Sequence, residues 1–534
     1  MPIRLPPPSS ASPSFSRRLG RVTALAVLLT ALSRVPLLQA QGAAYEQLQT
    51  FSGLLNQVRL NYVDSVTYAQ LVRAAIDGVL GSLDPHSYFL SREDAERRLE
   101  YEAGQLAGTG IILDEVDEAT VVQAVLPGTP GNKAGVQPGD RLVSLNDTSV
   151  AGLSLQSLES RMIGEKGSRL RMLFERGSRN EPDSFKVTIK NELIQPRSVG
   201  IVRMADPTTG YLRLTAFHAD ASKEVEEAVK KLKSSGAKQI LFDLRGNPGG
   251  YVGSAVDIAA NFLPKGTLVF RTEGRRKSAV QQYTTERDGR FVDLRMILLI
   301  DEGSASASEA LSGSLQDHDR ALVLGRRSFG KALMQRPFEV PPQGDMVWLT
   351  IGRVVTPSGR VVQRRYQGLN AEQYYTFAGR SGAAQDTLAV FRTDRGRAVR
   401  GGGGIVPDIP LPPTATLPVW FSVASDSGFV EAVADSVAQT LGKEPNARVA
   451  WMSAIQEWQA RLVAPFMERV HTRLRVSAQP DSALSARLGR ILASRAAEVR
   501  WGQDAIDEFL LRNDPDIRAA LGYFAKVDDA LKGP

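Results

Sequence analysis

Residues 296–309 read MILLIDEGSASASE. The apolar run Met296–Ile300, closed by turn formers, has the length and texture of a strand buried on both faces. Ser306 followed three residues later by Glu309 is a capping box, which opens a helix. A buried strand feeding a helix is the unit of an α/β layer architecture, and the flanking sequence repeats it. Upstream, residues 211–217 form a strand, and Val225, Val229 and Leu232 share one face of a helix that Gly236 stops. Gln239–Asp243 is a second buried strand, running into Arg245-Gly246-Asn247-Pro248-Gly249-Gly250 and a helix to Leu263. Downstream come the helix from Ser306, a strand at Ala321–Leu324, a turn ending at Lys331 and a strand at Met346–Val355.

Beyond this core the texture changes. Tyr45 to Ala103 is helical in pattern, with Leu48, Phe51, Leu54 and Leu55 at helix spacing. Short β-type runs at Ile111–Leu113 and Thr120–Val125, turn-rich stretches, one helical segment near Leu153–Ile163 and strands up to Lys190 make a small, mostly β module. Residues 366–404 are polar and irregular, ending in Gly401–Gly404, and are expected to be a loop. After a proline-rich stretch at 407–418, apolar spacing across 428–442, 449–475 and 482–530 predicts helices. Trp451, Trp458 and Phe466 in that tail are expected to be packed core or a dimerisation surface.

A chain of 534 residues is too long for one core, and about one domain per 100 to 200 residues gives three or four modules. The net charge of +7 comes without a basic, aromatic-interleaved block, so nucleic acid is not an expected partner. There is no cysteine, which excludes a disulfide framework, a thiol nucleophile and a cysteine zinc site. The four histidines form no ligand cluster, so neither a metal nor another cofactor is expected. Arg17, Arg18 and Arg21, the apolar run Val22–Leu32 and Leu38-Gln39-Ala40 precede the first acidic residue, Glu46, in the order of a secretory signal peptide. The run is shorter than the roughly 20 residues needed to span a bilayer. An exported, periplasmic protein is expected, membrane-associated if the signal is retained; an organellar transit peptide is the competing reading.

Ser306 is thus a helix cap, and a nucleophile only if a base reaches it. His318 lies 12 positions along the same helix, about 18 Å away along the axis and turned from Ser306, so it cannot serve. His86 and His218 reach it only by folding back. Lys331, after the tight Ser328-Phe329-Gly330 turn, is a base if burial lowers its pKa. Asp317 lies about three helical turns from Ser306 on the same side, as a supporting residue or an ordinary charge near a helix end. Gln335, four residues after Lys331, is placed to hold the ammonium. Ala307 at the helix start and the Gly249-Gly250 pair offer backbone donors for an oxyanion, although a glycine pair also fits a plain strand-to-helix turn.

From Tyr45 to Pro410 the chain resembles the carboxy-terminal processing peptidases, or tail-specific proteases. The resemblance rests on Leu83-Asp84-Pro85-His86-Ser87, Gly108 to Ile111, Ala134 to Val143, Asp243 to Gly250, Gly303 to Glu309, Phe329-Gly330-Lys331 with Gln335, Thr356-Pro357-Ser358-Gly359-Arg360 and Gly404-Ile405-Val406-Pro407-Asp408. It implies a multidomain α/β protein: a crotonase-like protease core, an inserted, mostly β PDZ domain, and helical N- and C-terminal regions. The expected layout is a signal peptide at 1–40, a helical region at 41–103, the PDZ domain at 104–192, the core at 193–415 with 366–404 as a loop insertion, and a helical region at 420–534. It implies a Ser/Lys dyad with Ser306 as nucleophile, Lys331 as general base and Gln335 orienting the lysine. The implied oxyanion donors are the amides of Ala307 and of Gly249 or Gly250. The PDZ domain reads a substrate tail: Thr109, Gly110 and Ile111 form the carboxylate loop, and Leu155, Leu158 and Met162 line the groove or belong to the module's core.

The chain departs from that pattern at Ala332-Leu333-Met334, which is bulkier than usual, at 368–402, which interrupts a usually short passage, and in the tail beyond 420. The resulting expectation is an exported serine endopeptidase that binds C-terminal tails of protein substrates and cleaves through an acyl-enzyme. Its partners are those tails, with a homo-oligomer or adaptor contact through the C-terminal helices. The alternatives are a catalytically silent PDZ scaffold and, within the same type of core, an enzyme acting on thioesters.

Overall fold

The computed structural model describes residues 45–533 with interruptions, chiefly at 103–106, 117–118, 126–128, within 152–163, at 179–180 and 195–196, and within 368–388. The expected signal peptide and Leu155 lie outside the described residues. The chain divides into two compact units at Leu83/Asp84. In the first, helices at 45–61 and Tyr68–Gly81 are the described elements. The second helix opens with a capping box, Gln70 N–H on Thr67 Oγ1 at 3.3 Å and Thr67 N–H on Gln70 Oε1 at 2.8 Å.

In the second unit, strands Ile111–Val116, Ala119–Val125, Arg141–Leu145, Arg169–Ser178 and Glu181–Lys190 form an antiparallel sheet in that order, with Ile111–Val116 on the edge. Ala107–Gly108 pairs with Glu192–Leu193, bringing the two ends of this module together. Its interior is built from Leu113, Val122, Leu142, Phe174 and their neighbours.

The central sheet runs Val199–Met204, Thr209–Leu214, Gln239–Asp243, Arg295–Ile300, Leu322–Gly325, Ile409–Pro410, its spatial order following the chain. The first pair is antiparallel and the rest are parallel. Parallel strands buried on both faces need apolar residues at every position, and the strand period of two divides them between the faces. Ile240, Phe242, Met296 and Leu298 pack against helices Ala221–Ser234, Val252–Ala259 and Ala307–Asp317. Leu241, Ile297 and Leu299 face the other way and are covered by Leu511, Ile517, Phe524 and Val527 from the end of the chain. Between these, helices from Val419 to Asn513 enclose a separate core in which Trp451, Trp458 and Phe466 are buried, so the tryptophans of the tail are packing residues.

A second, antiparallel sheet is built on the long strand Asp345–Val355, which pairs with Tyr88–Leu90, Leu268–Glu273 and Leu333–Val340. Leu333–Val340 was not expected from the sequence. It is largely exposed, contains Pro337 and lacks alternation, and it is a strand because its neighbour supplies the partner groups. The expected loop at 366–404 needs correction: it contains the hairpin Val390–Arg392/Ala398–Arg400. The turn of that hairpin is tied down by ion pairs from Arg397 to Asp319 at 2.5 Å and to Asp408 at 2.6 Å, partners that local sequence does not show.

Candidate active site

The carboxyl ends of the parallel strands Gln239–Asp243 and Arg295–Ile300 lead into the loops 244–251 and 301–306, where α/β sheets form sites. The two loops are stitched together. Ser304 Oγ donates to Leu244 O at 2.8 Å, Ala305 N–H to Asn247 O at 3.0 Å and Ser308 Oγ to Asn247 O at 2.9 Å. Ser304 and Ser308 are therefore buried and occupied, whereas Ser306 is part-exposed. Ser306 sits at φ 56°, ψ −111°, a region that costs a residue with a side chain about 1–3 kcal/mol and that recurs at functional sites.

Gly249 lies directly against this serine. A Cβ on it would stand 2.9 Å from Ser306 Cβ and 2.9 Å from Ala307 N, and its φ of +98° is one that glycine adopts freely. Its own N–H donates to Asn247 Oδ1 at 2.9 Å. The bridge to Phe217 uses Gly249 O and Tyr251 N–H, which turns the Gly250 N–H to the opposite side of the chain. Ala307 is the first helical residue, so its N–H has no intrahelical acceptor and lies at the positive end of the helix Ala307–Asp317.

The sequence reading gave Glu309 only a capping role. Buried, it binds far more. Its Oε2 accepts the N–H of Ser306 at 2.9 Å and of Lys331 at 2.8 Å; its Oε1 accepts Gly330 N–H at 2.6 Å and Ser328 Oγ–H at 2.5 Å. One carboxylate thus fastens the start of the serine's helix to the turn that carries the lysine. Burial pushes its pKa up to about 7 against the pull of these donors. Ser306, Lys331, Leu333 and Met334 line a recess of about 20 Å³, room for roughly one water.

Around the lysine, His86 Nε2 meets Tyr374 Oη at 3.0 Å, and Gln363 Nε2 donates to the same phenol at 3.1 Å while its Oε1 accepts Ala332 N–H at 2.8 Å. Burial, and then the charge of Lys331, lower the His86 pKa to about 4, so the imidazole is neutral at pH 7. Gln335 Nε2 donates to the carbonyl of His86. Asp317 lies at the far end of its helix, about 16 Å along the axis from Ser306, in a buried ion pair with Arg360 at 2.7 Å. It is not brought to the serine. Asn247, Tyr374 and Gln363 join the site without any local sequence signal beyond, for Asn247, its place between strand and glycine pair.

In the β module, Gly110 has φ +75°, Thr109 O accepts Gly131 N–H at 2.7 Å, and Ile111 begins the edge strand. Leu158 and Met162 are buried in the core of the module.

Residues 208–372 match the model of peptidase family S41, and residues 121–176 match a PDZ domain model. A carboxy-terminal-processing protease of Bartonella bacilliformis is 32% identical over 326 residues, covering 60% of this chain and 73% of that protein. The chain belongs to peptidase family S41. A probable CtpA-like serine protease of Staphylococcus aureus is 30% identical over 348 residues, covering 60% of this chain and 69% of that one. A solved photosystem II D1 C-terminal processing protease aligns over 68% of this chain and 87% of its own, at 24% identity and a TM-score of 0.36. This S41 peptidase is therefore a serine protease with a PDZ domain and a mixed α/β fold.

Proposed function

We propose that this S41 peptidase is an exported endopeptidase that captures the C-terminal tails of proteins on its PDZ domain and cleaves them with a Ser306/Lys331 dyad. The observation that carries the reading is the shared carboxylate oxygen: Glu309 Oε2 accepts both the Ser306 and the Lys331 N–H, and the two residues line one recess. Lys331, acting in its unprotonated form, takes the proton of Ser306 Oγ as the oxygen attacks the scissile carbonyl. The Ala307 and Gly250 N–H groups receive the oxyanion. The lysine returns its proton to the departing amine, leaving an acyl-enzyme on Ser306. It then takes a proton from water, whose attack releases the new carboxylate. Gln335, joined to the His86 carbonyl, positions the lysine from the neighbouring strand.

The domain layout we propose is a signal peptide at 1–40, a largely helical region at 41–103 whose Tyr88–Leu90 lends a strand to the second sheet, a PDZ domain inserted at 104–192, a crotonase-like core at 193–415 and a helical region at 420–534. A tail would add as a strand to the edge strand Ile111–Val116, its carboxylate held by Thr109, Gly110 and Ile111. Export follows from the order of charges and apolar residues before Glu46.

An unstructured reporter protein with a free or amidated C-terminus, digested by the wild type, Ser306→Ala and Lys331→Ala, tests the reading. Only the wild type should cut, and amidation should slow it. Cutting by the folded Ser306→Ala protein would sink the dyad; tail binding without cutting by the wild type would restore the scaffold reading.

A further inference from the structure

Five arginines converge on a cavity of about 310 Å³ at the carboxyl edge of the central sheet, on the face covered by the C-terminal helices. Arg213 comes from strand Thr209–Leu214, and Arg245 and Arg326 follow strands Gln239–Asp243 and Leu322–Gly325. Arg487 and Arg490 are one turn apart on helix Ser482–Trp501 and so share a face. Three aspartates also line the cavity, and all are engaged. Asp514 and Asp516 pair with Arg245 at 3.0 and 2.9 Å, and Asp516 pairs with Arg326 at 2.6 Å. Asp301 Oδ1 accepts the N–H of Gly246 at 2.8 Å and of Gly303 at 2.9 Å.

Arg245 also pairs with Asp243 at 2.7 Å and Arg326 with Glu302 at 3.6 Å, so these two cations are compensated and three other guanidiniums are left over. Among the described residues, Arg213, Arg487 and Arg490 form no ion pair; Arg487 donates only to the carbonyl of Ala415, and Arg490 makes no hydrogen bond. The Nε of Arg213 is buried without a hydrogen-bond acceptor, whereas that of Arg326 faces the Glu302 carboxylate at 3.6 Å. Burial, then the charges of Arg490 and Arg326, lower the Arg487 pKa, and burial lowers that of Arg490 although Asp514 and Asp516 draw it up. Guanidinium forks match tetrahedral oxyanions in geometry as well as charge, and a cavity of this size holds a small phosphorylated molecule.

We propose that this cavity is a binding site for a phosphate group, free or as a small monoester, held by Arg213, Arg487 and Arg490 apart from the peptidase chemistry. The anion joins the helix Ser482–Trp501 to the edge of the sheet. Calorimetric titration of the full chain with inorganic phosphate, glycerol 3-phosphate and acetate, at constant ionic strength, tests this. One saturable site for phosphate is expected, about tenfold weaker in Arg487→Gln and in Arg490→Gln, as for loss of a charged hydrogen bond. Tighter binding of glycerol 3-phosphate than of inorganic phosphate assigns the site to a monoester, and the reverse order assigns it to the free ion. Without ligand, both variants should unfold at the same or a higher temperature than the wild type, because crowding of cations is relieved. No saturable phosphate binding, acetate binding as tightly as phosphate, variants that bind unchanged, or a lower unfolding temperature of the unliganded variants would each overturn the proposal.

Discussion

Glu309 and His86 titrate in opposite senses around the same lysine. The Glu309 carboxyl, ordinarily at 4.5, is pushed up to about 7 by burial, so the folded chain keeps a proton that the unfolded chain has already lost. Its contribution to stability is full below pH 4.5 and is lost as the pH rises through 7. His86, ordinarily at 6.5, is lowered to about 4, so its contribution is present above pH 6.5 and is lost as the pH falls through 4. Between pH 4.5 and 6.5 the two effects oppose each other. Glu309→Gln should remove the falling limb and leave a stability that rises from pH 4 to 6.5, read from denaturant unfolding at a series of pH values. The amide also accepts at only one of the two positions, so either the Ser306 and Lys331 N–H groups or the Gly330 N–H and Ser328 hydroxyl lose their acceptor and the lysine turn moves against the serine; kcat should fall roughly a hundredfold, as for other misplacements of about 1 Å, with the fold retained. In the sequence this residue was visible only as half of a capping box. Its second role depends on Ser328, Gly330 and Lys331, which reach it through the fold.

The helix Ala307–Asp317 is held at both ends. At its start Glu309 grips the lysine turn; at its end Gln316 Oε1 and Asp317 Oδ1 accept from the buried Arg360 at 2.6 and 2.7 Å. Arg360→Met leaves the carboxylate of Asp317 buried and unpaired, which should cost about 3–5 kcal/mol in denaturant unfolding. The double change with Asp317→Asn should recover part of that loss. The start of this helix was legible because capping is local. The role of its last residue was not, because an aspartate near a helix end reads alike whether it faces water, a nucleophile or an arginine 43 residues away. The strand Leu333–Val340 was hidden for a related reason: an exposed edge strand carries no apolar alternation, and only its pairing partner defines it.

Across the whole molecule, the two faces of the central sheet are buried by different parts of the chain. The helices between its strands cover one face, and residues beyond Leu510 cover the other. Ending the chain at Gly502 should therefore expose Leu241, Ile297 and Leu299, giving a protein that binds hydrophobic dye and unfolds without a cooperative transition. A tail serving only as an oligomer contact would instead leave a truncated chain with a sharp transition. Apolar spacing alone could not separate these outcomes, since a helix that packs on its own sheet and one that packs on a second copy carry the same pattern.

Local patterns determined the α/β texture, the strands Gln239–Asp243 and Arg295–Ile300 nearly to the residue, the helix cap at Ser306 and the glycine pair, because hydrophobic period, capping and turn chemistry act over a few neighbouring residues. Tertiary structure alone decided that Ser304 and Ser308 are buried while Ser306 is part-exposed, and that one glutamate joins the serine loop to the lysine loop. It also decided that unpaired arginines from distant elements meet at one cavity. Burial and hydrogen bonding between groups far apart in the chain follow from how strands and helices pack, and no local window contains that information.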